Sequence, residues 1–197
     1  MRQLRGRVTD ERVLNAVRDV PRDLFVPADL QADAWANEPL PIGCGQTISQ
    51  PLVAARMCEL LELDGSERVL DVGTGSGYHA ALLARLAADV YSIEVHPELS
   101  DRAARALAAA GAQNVTLAVG DGSRGLPAHA PYDAINVAAA ARRRIPDALI
   151  EQLAPGGRLV APVEERGDQY LALLREDRGE LRTTRLERVR FVPLMSR

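Results

Sequence analysis

Hydrophobic positions along the chain follow two alternating periods, and these predict alternating helices and strands. Near the start, apolar residues recur every three or four positions between Val13 and Val20, as they do on one face of a helix. A second helical stretch covers residues 51–63. From residue 68 onward, short β-branched runs alternate with Ala/Leu-rich runs, which is typical of strands that are each followed by a helix. The pattern predicts an α/β/α sandwich around a mostly parallel, twisted sheet.

The short apolar runs place the individual elements. We expect strands at residues 68–72, 90–94, 115–119, 132–137 and 158–162, with helices at 97–110 and 146–153. Pro155-Gly156-Gly157 is predicted to end the last of these helices. Two more strands are expected at 170–175 and 185–191, separated by a charged hairpin tip.

The N-terminal segment is predicted to form a helical cap over the sheet. Thr9 is the expected N-cap of the first helix and Pro21 its end. Between residues 21 and 43, prolines alternate with apolar residues, which suits an ordered cap rather than a free linker. Packing is the favoured role of Trp35 over stacking on a substrate, because a lone Trp usually buries a large apolar surface.

A polar stretch, Cys44-Gly-Gln-Thr-Ile-Ser-Gln50, stands directly ahead of the second helix. Pro51 suits the first turn of that helix, and Ser49 or Gln50 is the expected N-cap. Taken alone, capping is the favoured role of Ser49, and a role in a binding site is the alternative.

The strand at 68–72 runs into Gly73-Thr-Gly-Ser-Gly77, and a helix follows at once. Glycines permit a sharp turn and a close approach of the backbone to a ligand, and the first N–H groups of the helix point at that ligand. The spacing differs from a dinucleotide fingerprint, since Tyr78 stands where the third glycine belongs and Asp71 precedes the first one. A nucleotide-binding turn of another class is indicated, with a mere strand-to-helix turn as the alternative.

Two further carboxylates follow predicted strands at the same edge of the sheet. Glu94 ends the second strand, where a carboxylate can accept hydrogen bonds from ribose hydroxyls. Asp121 can accept from the exocyclic amine of a base, while Gly122 allows close backbone approach. The alternatives are a solvated strand end for Glu94 and an ordinary Asp-Gly turn for Asp121.

Composition narrows the class of protein. A length of 197 residues suits one domain with a sizeable core. The net charge of −3 and the aromatic content of 4% provide neither the basic surface nor the stacking platforms that a nucleic-acid partner needs. Cys44 and Cys58 are too few for a disulfide framework, and no apolar run reaches the ~20 residues that span a bilayer.

The basic N-terminus lacks an apolar signal core, so we expect a cytoplasmic location. The histidines lack partners at ligand spacing, so we expect no metal site.

Five blocks of the chain point to one family. They are Leu40-Pro-Ile-Gly-Cys-Gly-Gln-Thr-Ile-Ser-Gln-Pro51, Val69-Leu-Asp-Val-Gly-Thr-Gly-Ser-Gly-Tyr78, Gly120-Asp-Gly122, Gly156-Gly-Arg-Leu-Val-Ala-Pro-Val163 and Arg188-Val-Arg-Phe-Val-Pro-Leu194. The acid-x-Gly-x-Gly-x-Gly pattern resembles motif I of S-adenosylmethionine-dependent methyltransferases. Together the blocks resemble the protein-L-isoaspartate O-methyltransferase family over residues 10–194, and Gln-Thr-Ile-Ser-Gln-Pro is far more specific than any glycine loop.

The resemblance implies an activity. The cofactor would be S-adenosylmethionine, without a metal, and the acceptor the free α-carboxylate of an L-isoaspartyl residue in a damaged protein or peptide. The methyl ester then leads through a succinimide back to aspartate. A carboxylate is already ionised at neutral pH, so its methylation needs no strong general base. Ser49 is the implied catalytic residue, in an orienting role.

The resemblance also implies contacts and a fold. Cofactor contacts are implied at Thr47, Ile48, Ser49, Asp71, Gly73, Thr74, Gly75, Ser76, Gly77, Glu94, Val95, Asp121 and Gly122, and substrate contacts at Cys44, Gln46, Ala138, Arg190 and Val192. We expect a single Rossmann-like domain that works as a monomer, with the last two strands exchanged relative to common methyltransferases. Its parts would be N-terminal helices and an acceptor loop (1–65), a cofactor-binding core (66–163) and C-terminal strands (164–197).

Several positions depart from the family pattern and leave the acceptor open. Ala138 stands where the family usually has Thr, Cys44 where relatives tend to carry His or Gln, and Glu164 where glycine is common. The arginines at 142–144 suit either attraction of an acidic acceptor or a solvated surface turn. The alternative functions are a carboxyl methyltransferase for one dedicated peptide and a non-catalytic S-adenosylmethionine-binding protein.

Overall fold

The structure, a computed structural model, describes residue 4 and residues 6–196. Its first part forms the expected helical cap, together with a small hairpin that the sequence pattern did not predict. The elements are α1 (Glu11–Asp19), 3-10 turns at Arg22–Phe25 and Ala28–Asp33, strands β1 (Leu40–Gly43) and β2 (Gln46–Ile48), and α2 (Pro51–Leu60). The hairpin strands are only three and four residues long, too short to show an alternating pattern.

Strands and helices alternate from residue 68, as predicted. They are β3 (Arg68–Val72), α3 (Tyr78–Ala84), β4 (Asp89–Glu94), α4 (Pro97–Ala109), β5 (Val115–Val119), β6 (Tyr132–Val137), β7 (Ala141–Arg142), α5 (Asp147–Ile150), β8 (Leu153–Glu165), β9 (Asp168–Asp177) and β10 (Glu180–Arg188). Short 3-10 turns at Gly122–Arg124 and Pro127–His129 link β5 to β6.

The main sheet has the order β10-β9-β8-β6-β3-β4-β5, and the short β7 pairs beside β8. β3, β4, β5, β6 and β8 run parallel, whereas β9 and β10 are antiparallel to their neighbours. The last three strands follow one another in chain order across the sheet. β3 therefore lies centrally, with the carboxyl ends of β4 and β6 on either side of its glycine loop. No helix within the described residues is long and apolar enough to cross a membrane.

β3 is buried because successive side chains enter two apolar layers. Val69 joins a cluster that includes Val17 of α1 and Met57 of α2, so the helical cap packs directly on one face of the sheet. Leu70 points the opposite way, into a cluster that contains Ile135. A parallel strand covered on both faces is buried along its length rather than at alternate positions. In β3 every residue from Val69 to Val72 is buried, and all of them are apolar except Asp71.

The N-cap prediction for the first helix was one residue out. Asp10 caps α1, with its side chain accepting from the backbone N–H groups of Arg12 and Val13. Thr9 instead donates through its backbone N–H and its hydroxyl to the Glu59 carboxylate, 2.6 and 3.0 Å away. Both Thr9 and Asp10 are residue types that can cap a helix. The contact of Thr9 with Glu59 leaves the cap to Asp10.

The prediction that Trp35 packs into the core was wrong, since its side chain is 47% exposed. Phe25 is the buried aromatic of the cap, and its ring meets the Tyr78 ring edge to face at 5.7 Å. The residues around Trp35 form turns at the surface, where a large side chain has no second layer to enter.

Two element boundaries near the carboxyl end also differ from the predictions. The last helix ends at Ile150, and Pro155-Gly156-Gly157 lies within β8, at a break in register between β8 and β6. A bulge accommodates proline and glycine without ending the strand. β10 begins at Glu180 rather than at residue 185, because an edge strand exposed along most of its length needs no apolar alternation.

Candidate functional site

Three adjoining cavities open at the carboxyl ends of β3, β4 and β6. The strand-end cavity, about 60 Å³, is lined by Glu94, Val95 and Gly122 among others. The glycine-loop cavity, about 30 Å³, lies between the loop at 73–76 and the end of β2 with Ser49 after it. The outer cavity, about 20 Å³, is lined in part by Arg190 and Val192. Thr47 and Ala138 line all three cavities, so the three meet at these two residues.

The glycine loop leaves the sheet through backbone conformations that favour glycine. Gly73 and Gly75 have φ values of +90° and +54°, and the Gly73 and Thr74 N–H groups both donate to the Ile93 carbonyl group. Gly77 caps α3 in the left-handed region, at φ +92°. The loop is thereby anchored to β4, the neighbouring strand, and its side-chain-free face lines the cavities.

Glu94 connects the end of β4 to the glycine loop. One carboxylate oxygen accepts from the Gly75 N–H at 2.7 Å, and the other accepts from the His96 N–H at 3.0 Å. Its side chain is almost fully buried but lines the strand-end cavity. Each carboxylate oxygen can accept a further hydrogen bond, which suits two adjacent ribose hydroxyls.

Asp71 supports the loop from beneath rather than from inside a cavity. Its carboxylate is fully buried and accepts from Ser92 Oγ at 2.8 Å and Asn136 Nδ2 at 2.7 Å. Burial raises the pKa of Asp71 to about 6, although the bonds from Asn136 and Ser92 act in the opposite direction. Ser92 Oγ also lies 2.6 Å from Thr74 Oγ1, so this network extends into the loop. Sequence reasoning missed Ser92 and Asn136, which look like ordinary polar residues within strands.

Ser49 is not the cap of α2. Gln50 holds the N-cap position without a side-chain cap bond, and Asn37 Oδ1 accepts from the Leu52 N–H at 3.3 Å. Ser49 lines both the glycine-loop cavity and the outer cavity. The capping interpretation of Ser49 was therefore wrong, and its place between two cavities supports the alternative.

A buried arginine holds the backbone of Ser49. Arg22 Nη2 donates to the Ser49 carbonyl oxygen at 2.7 Å, and Arg22 Nε donates to the Ala34 carbonyl oxygen at 2.6 Å. The guanidinium lies over the Tyr78 ring, 4.6 Å from its centroid, and burial lowers its pKa. Arg22 thus ties the 3-10 turns of the cap to the segment between β2 and α2.

Most of the residues expected at the site line one of the three cavities. These are Gln46, Thr47, Ile48, Ser49, Gly73, Thr74, Gly75, Ser76, Glu94, Val95, Gly122, Ala138, Arg190 and Val192. Four others lie outside the linings: Asp71 beneath the loop, Gly77 against α4, Cys44 on the exposed hairpin turn, and Asp121, which accepts from the backbone N–H and hydroxyl of Ser123. The contacts expected of these residues remain predictions.

Residues that the sequence did not assign to the site also line the cavities: Pro39, Gln50, Val53, Val72, Tyr78, His79, Ile93, His96, Ala139, Phe191, Pro193, Leu194 and Met195. The segment at 192–194 reaches the site because the Ala140 N–H donates to the Val192 carbonyl oxygen and the Leu194 N–H donates to the Ala140 carbonyl oxygen, each at 2.8 Å. Nothing in the periodic pattern of the sequence reveals this non-local pairing.

The arginines at 142–144 and His96 were also considered as functional residues from the sequence. The arginines at 142–144 are exposed and absent from the linings of the three cavities, and Arg144 pairs with Asp147 at 2.9 Å. The surface-turn interpretation therefore applies to them. The sequence spacing predicts no metal site, but packing brings a ring nitrogen of His96 within 4.8 Å of Cys44 Sγ and of a Glu98 carboxylate oxygen.

Known proteins are similar to this chain over most of its length. The sequence model of the protein-L-isoaspartate(D-aspartate) O-methyltransferase (PCMT) family matches residues 1–197. A protein-L-isoaspartate O-methyltransferase from Methanoculleus marisnigri is 54% identical over 194 residues, which are 98% of this chain and 88% of that protein.

Solved structures agree on the fold. A protein-L-isoaspartate O-methyltransferase from Plasmodium falciparum, in complex with S-adenosyl-L-homocysteine, superposes with a TM-score of 0.84 at 26% identity, covering 97% of this chain and 93% of that one. Another protein-L-isoaspartate O-methyltransferase has a TM-score of 0.83 at 27% identity, covering 93% of this chain and 61% of that one. These similarities confirm the α/β methyltransferase fold, and the chain belongs to the protein-L-isoaspartate(D-aspartate) O-methyltransferase family.

Proposed function

We propose that this protein transfers a methyl group from S-adenosylmethionine to the free α-carboxylate of L-isoaspartyl residues in damaged proteins and peptides. The observation that carries the proposal is the meeting of three cavities at Thr47 and Ala138. One cavity has the groups that suit a nucleoside, one borders the glycine loop, and one opens beside Arg190. A donor and an acceptor bound in these cavities would meet at the shared residues.

The residues present fit the cofactor. Glu94 offers carboxylate oxygens that suit ribose hydroxyls, and Gly122 and Ile93 form an apolar part of the wall of the strand-end cavity. Gly73 and Gly75 expose backbone toward the glycine-loop cavity, where the methionine end would lie. When bound, S-adenosylmethionine supplies an electrophilic methyl group on its sulfonium centre.

The acceptor side needs orientation more than acid–base chemistry. A carboxylate with a pKa near 4 is already ionised at neutral pH, so no residue has to remove a proton. Arg190 provides a positive charge at the outer cavity, and Ser49 provides a hydroxyl donor between the outer and glycine-loop cavities. Alignment of the donor with the acceptor then supplies the catalytic effect.

The methyl ester formed on the isoaspartyl residue makes the repair of the peptide possible. The carbonyl carbon of a methyl ester is a better electrophile than that of a carboxylate, so the next backbone nitrogen of the peptide attacks it and methanol leaves. The resulting succinimide hydrolyses partly to aspartate. We also propose that residues 1–197 act as one unit, as a monomer in the cytoplasm without nucleic-acid or membrane partners. The absence of a strong basic surface and of long apolar runs in the sequence supports this part of the proposal.

A paired-peptide assay tests the proposal. The protein is incubated with methyl-labelled S-adenosylmethionine and either an isoaspartyl peptide or its aspartyl twin. We expect base-labile label on the isoaspartyl peptide alone. Equal labelling of both peptides, or label on neither despite measured binding of S-adenosylhomocysteine, would overturn the proposed acceptor. A dedicated acidic acceptor is not favoured by the structure, because the arginines at 142–144 do not line the three cavities.

A further inference from the structure

The turn between β1 and β2 lies against the start of α4 and brings three different metal-ligating side chains together. Cys44 Sγ, a ring nitrogen of His96 and a carboxylate oxygen of Glu98 lie within 4.8 Å of one another. Cys44 and Glu98 are exposed, whereas His96 is half-buried. His96 Nε2 is buried and has no hydrogen-bond partner among the residues that the structure describes. An imidazole nitrogen in that position has a lone pair or a proton without a partner, which is costly unless a ligand satisfies it.

The backbone holds these side chains on ordered elements. Gly43 pairs with Gln46 at the closed end of the hairpin, and Cys44 takes a left-handed conformation, at φ +53°, between them. His96 is the N-cap residue of α4, and its backbone N–H is bonded to Glu94. Glu98 lies in the first turn of the same helix. The hairpin thus supplies one ligand and the corner between β4 and α4 supplies two.

We propose that this cluster binds a divalent ion of the zinc class through the Cys44 thiolate, the His96 imidazole and the Glu98 carboxylate, with water as fourth ligand. Thiolate and imidazole select zinc and related transition metals, whereas magnesium and calcium require oxygen ligands. Tetrahedral zinc with bond lengths of about 2.0 to 2.3 Å places its ligand atoms about 3.5 Å apart. The exposed side chains of Cys44 and Glu98 can rotate to close the remaining gap. Binding releases the thiol proton of Cys44 to solvent.

The ion would affect cofactor binding, and this part of the inference rests on the proposed function. His96 lines the strand-end cavity together with Gln46 and Thr47 of β2. An ion held by Cys44 and His96 ties the hairpin to the β4 corner across the mouth of that cavity, two residues from Glu94. The cavity holds only about 60 Å³, too little for a nucleoside, so these two walls would have to separate when the cofactor enters and the ion would weaken cofactor binding. By linkage, the cofactor weakens binding of the ion by the same factor.

Cobalt(II) provides a readout of the site that does not depend on activity. We expect the metal-free protein to bind one Co²⁺ with a thiolate-to-metal charge-transfer band and tetrahedral visible absorption, and Zn²⁺ to displace it. Cys44→Ser should abolish the charge-transfer band, and Glu98→Gln should weaken Co²⁺ binding at least tenfold. Asp101→Asn, which removes an exposed charge from the same helix, is the matched control and should leave binding unchanged. A band that persists in Cys44→Ser, or no thiolate band in the parent protein, would overturn the proposal.

A substitution of Arg102 gives a second test of where the ion binds. Its guanidinium lies beside Gly43, and its Nε donates to the Glu98 carbonyl oxygen at 3.4 Å, so its charge opposes a cation in the cluster. Arg102→Gln should therefore raise the Co²⁺ affinity severalfold if the ion binds at Cys44, His96 and Glu98. An unchanged affinity would place the ion elsewhere.

Calorimetry with S-adenosylhomocysteine tests the coupling. In the parent protein, saturating Zn²⁺ should raise the dissociation constant of S-adenosylhomocysteine at least fivefold, and the ratio of the constants with and without Zn²⁺ should return to one in Cys44→Ser. A ratio of one in the parent protein would refute the effect on the cofactor. Failure of the proposed function would look different. Without the cofactor site, S-adenosylhomocysteine would fail to bind even without metal while the Co²⁺ spectrum remained, and a wrong acceptor would show only in the paired-peptide assay.

Discussion

Ser49 stands between the acceptor side of the site and the glycine loop, and the buried guanidinium of Arg22 holds its carbonyl group. A hydroxyl on a backbone fixed in this way is preorganised, because little conformational freedom is lost when an acceptor carboxylate binds. Under the proposed function, the chemical step would then depend on the direction of this O–H group.

Ser49→Ala should lower kcat/KM for an isoaspartyl peptide at least about tenfold, equivalent to ~1.4 kcal/mol of transition-state stabilisation. The affinity for S-adenosylhomocysteine should stay nearly unchanged. Since Gln50 holds the N-cap position of α2, the variant should also keep the stability of the parent protein. Single-turnover rates, calorimetry and thermal unfolding on one preparation supply the three quantities. Normal single-turnover rates would remove Ser49 from the reaction and leave backbone N–H groups of residues 47–50 as the orienting donors.

Asp71 and His79 make opposite contributions to the pH dependence of stability. Burial raises the pKa of Asp71 to about 6, so between pH 4 and 6 the folded state holds a proton that the unfolded state has lost. This contribution to stability is lost as the pH rises through that window. Burial, with a smaller effect of Arg22, lowers the pKa of His79 to about 4, so the His79 contribution is lost as the pH falls below 6.5. The two effects offset one another in the parent protein.

Asp71→Asn should therefore make the protein more sensitive to acid. An asparagine can still accept from Asn136 and can donate to Ser92, which then donates to Thr74, so the network survives. The free energy of unfolding of the variant should fall relative to that of the parent by about 2 kcal/mol between pH 7 and pH 4. Urea denaturation across this range measures the difference. Parallel pH profiles for the two proteins would contradict the assignment of this titration to Asp71.

At the scale of elements, α3 and α4 approach closely at Gly77. A Cβ at Gly77 would lie 3.2 Å from Ala103 Cβ and 3.3 Å from Leu107 Cγ, both on α4. Gly111, after the end of α4, has a similar positive φ of +71° but open space around it. Substitutions at Gly77 and Gly111 therefore distinguish two contributions to the loss of stability: the cost of a left-handed backbone and the cost of crowding two helices.

Gly111→Ala should lower the free energy of unfolding by about 1 kcal/mol, the cost of a left-handed backbone for a residue with a side chain. Gly77→Ala should cost about 2 to 4 kcal/mol, because the clash with α4 adds to the same backbone cost. Denaturant unfolding of both variants supplies the comparison. Equal losses would show that α4 moves aside without cost.

Glu94 joins the end of β4 to the glycine loop, and Glu94→Gln should disturb both. The Gly75 and His96 N–H groups donate to different carboxylate oxygens, whereas glutamine has only one acceptor oxygen. We expect binding of S-adenosylhomocysteine to weaken by about 1 to 2 kcal/mol, as charge-assisted hydrogen bonds become neutral ones. Asp89→Asn, at the exposed opposite end of β4, is the matched control for loss of one charge. A dissociation constant unaltered by Glu94→Gln would place the ribose elsewhere.

At the scale of the whole molecule, binding of a ligand to the folded state should increase the free energy of unfolding. S-adenosylhomocysteine at 100 times its dissociation constant should stabilise the protein by about 2.7 kcal/mol, which raises the melting temperature by roughly 5 to 10 °C. NAD should give no such shift, because the buried Tyr78 stands where a dinucleotide fingerprint has its third glycine. Thermal unfolding with each ligand tests this, and a comparable shift with NAD would show that the loop does not discriminate.

The sequence by itself determined the elements of the central sheet and the chemistry at their ends. The strands at 68–72, 115–119 and 132–137 were placed to the residue, because each is a short, mostly apolar run bounded by turn residues, although the strand at 115–119 is only partly buried. The glycine loop and Glu94 were recognisable because backbone conformation and strand ends impose local requirements. Local interactions of this kind are readable without knowledge of the packing.

Only the tertiary structure decided which residues meet. Arg22 reaches Ser49 across 27 positions, Asn136 reaches Asp71 across 65, and Cys44 joins His96 through the packing of a hairpin on a helix. The packing also left Trp35 exposed and assigned the cap of α1 to Asp10 instead of Thr9. Such contacts depend on how helices and strands pack together. Many packings are compatible with one periodic pattern of apolar residues, so the pattern alone does not determine these contacts.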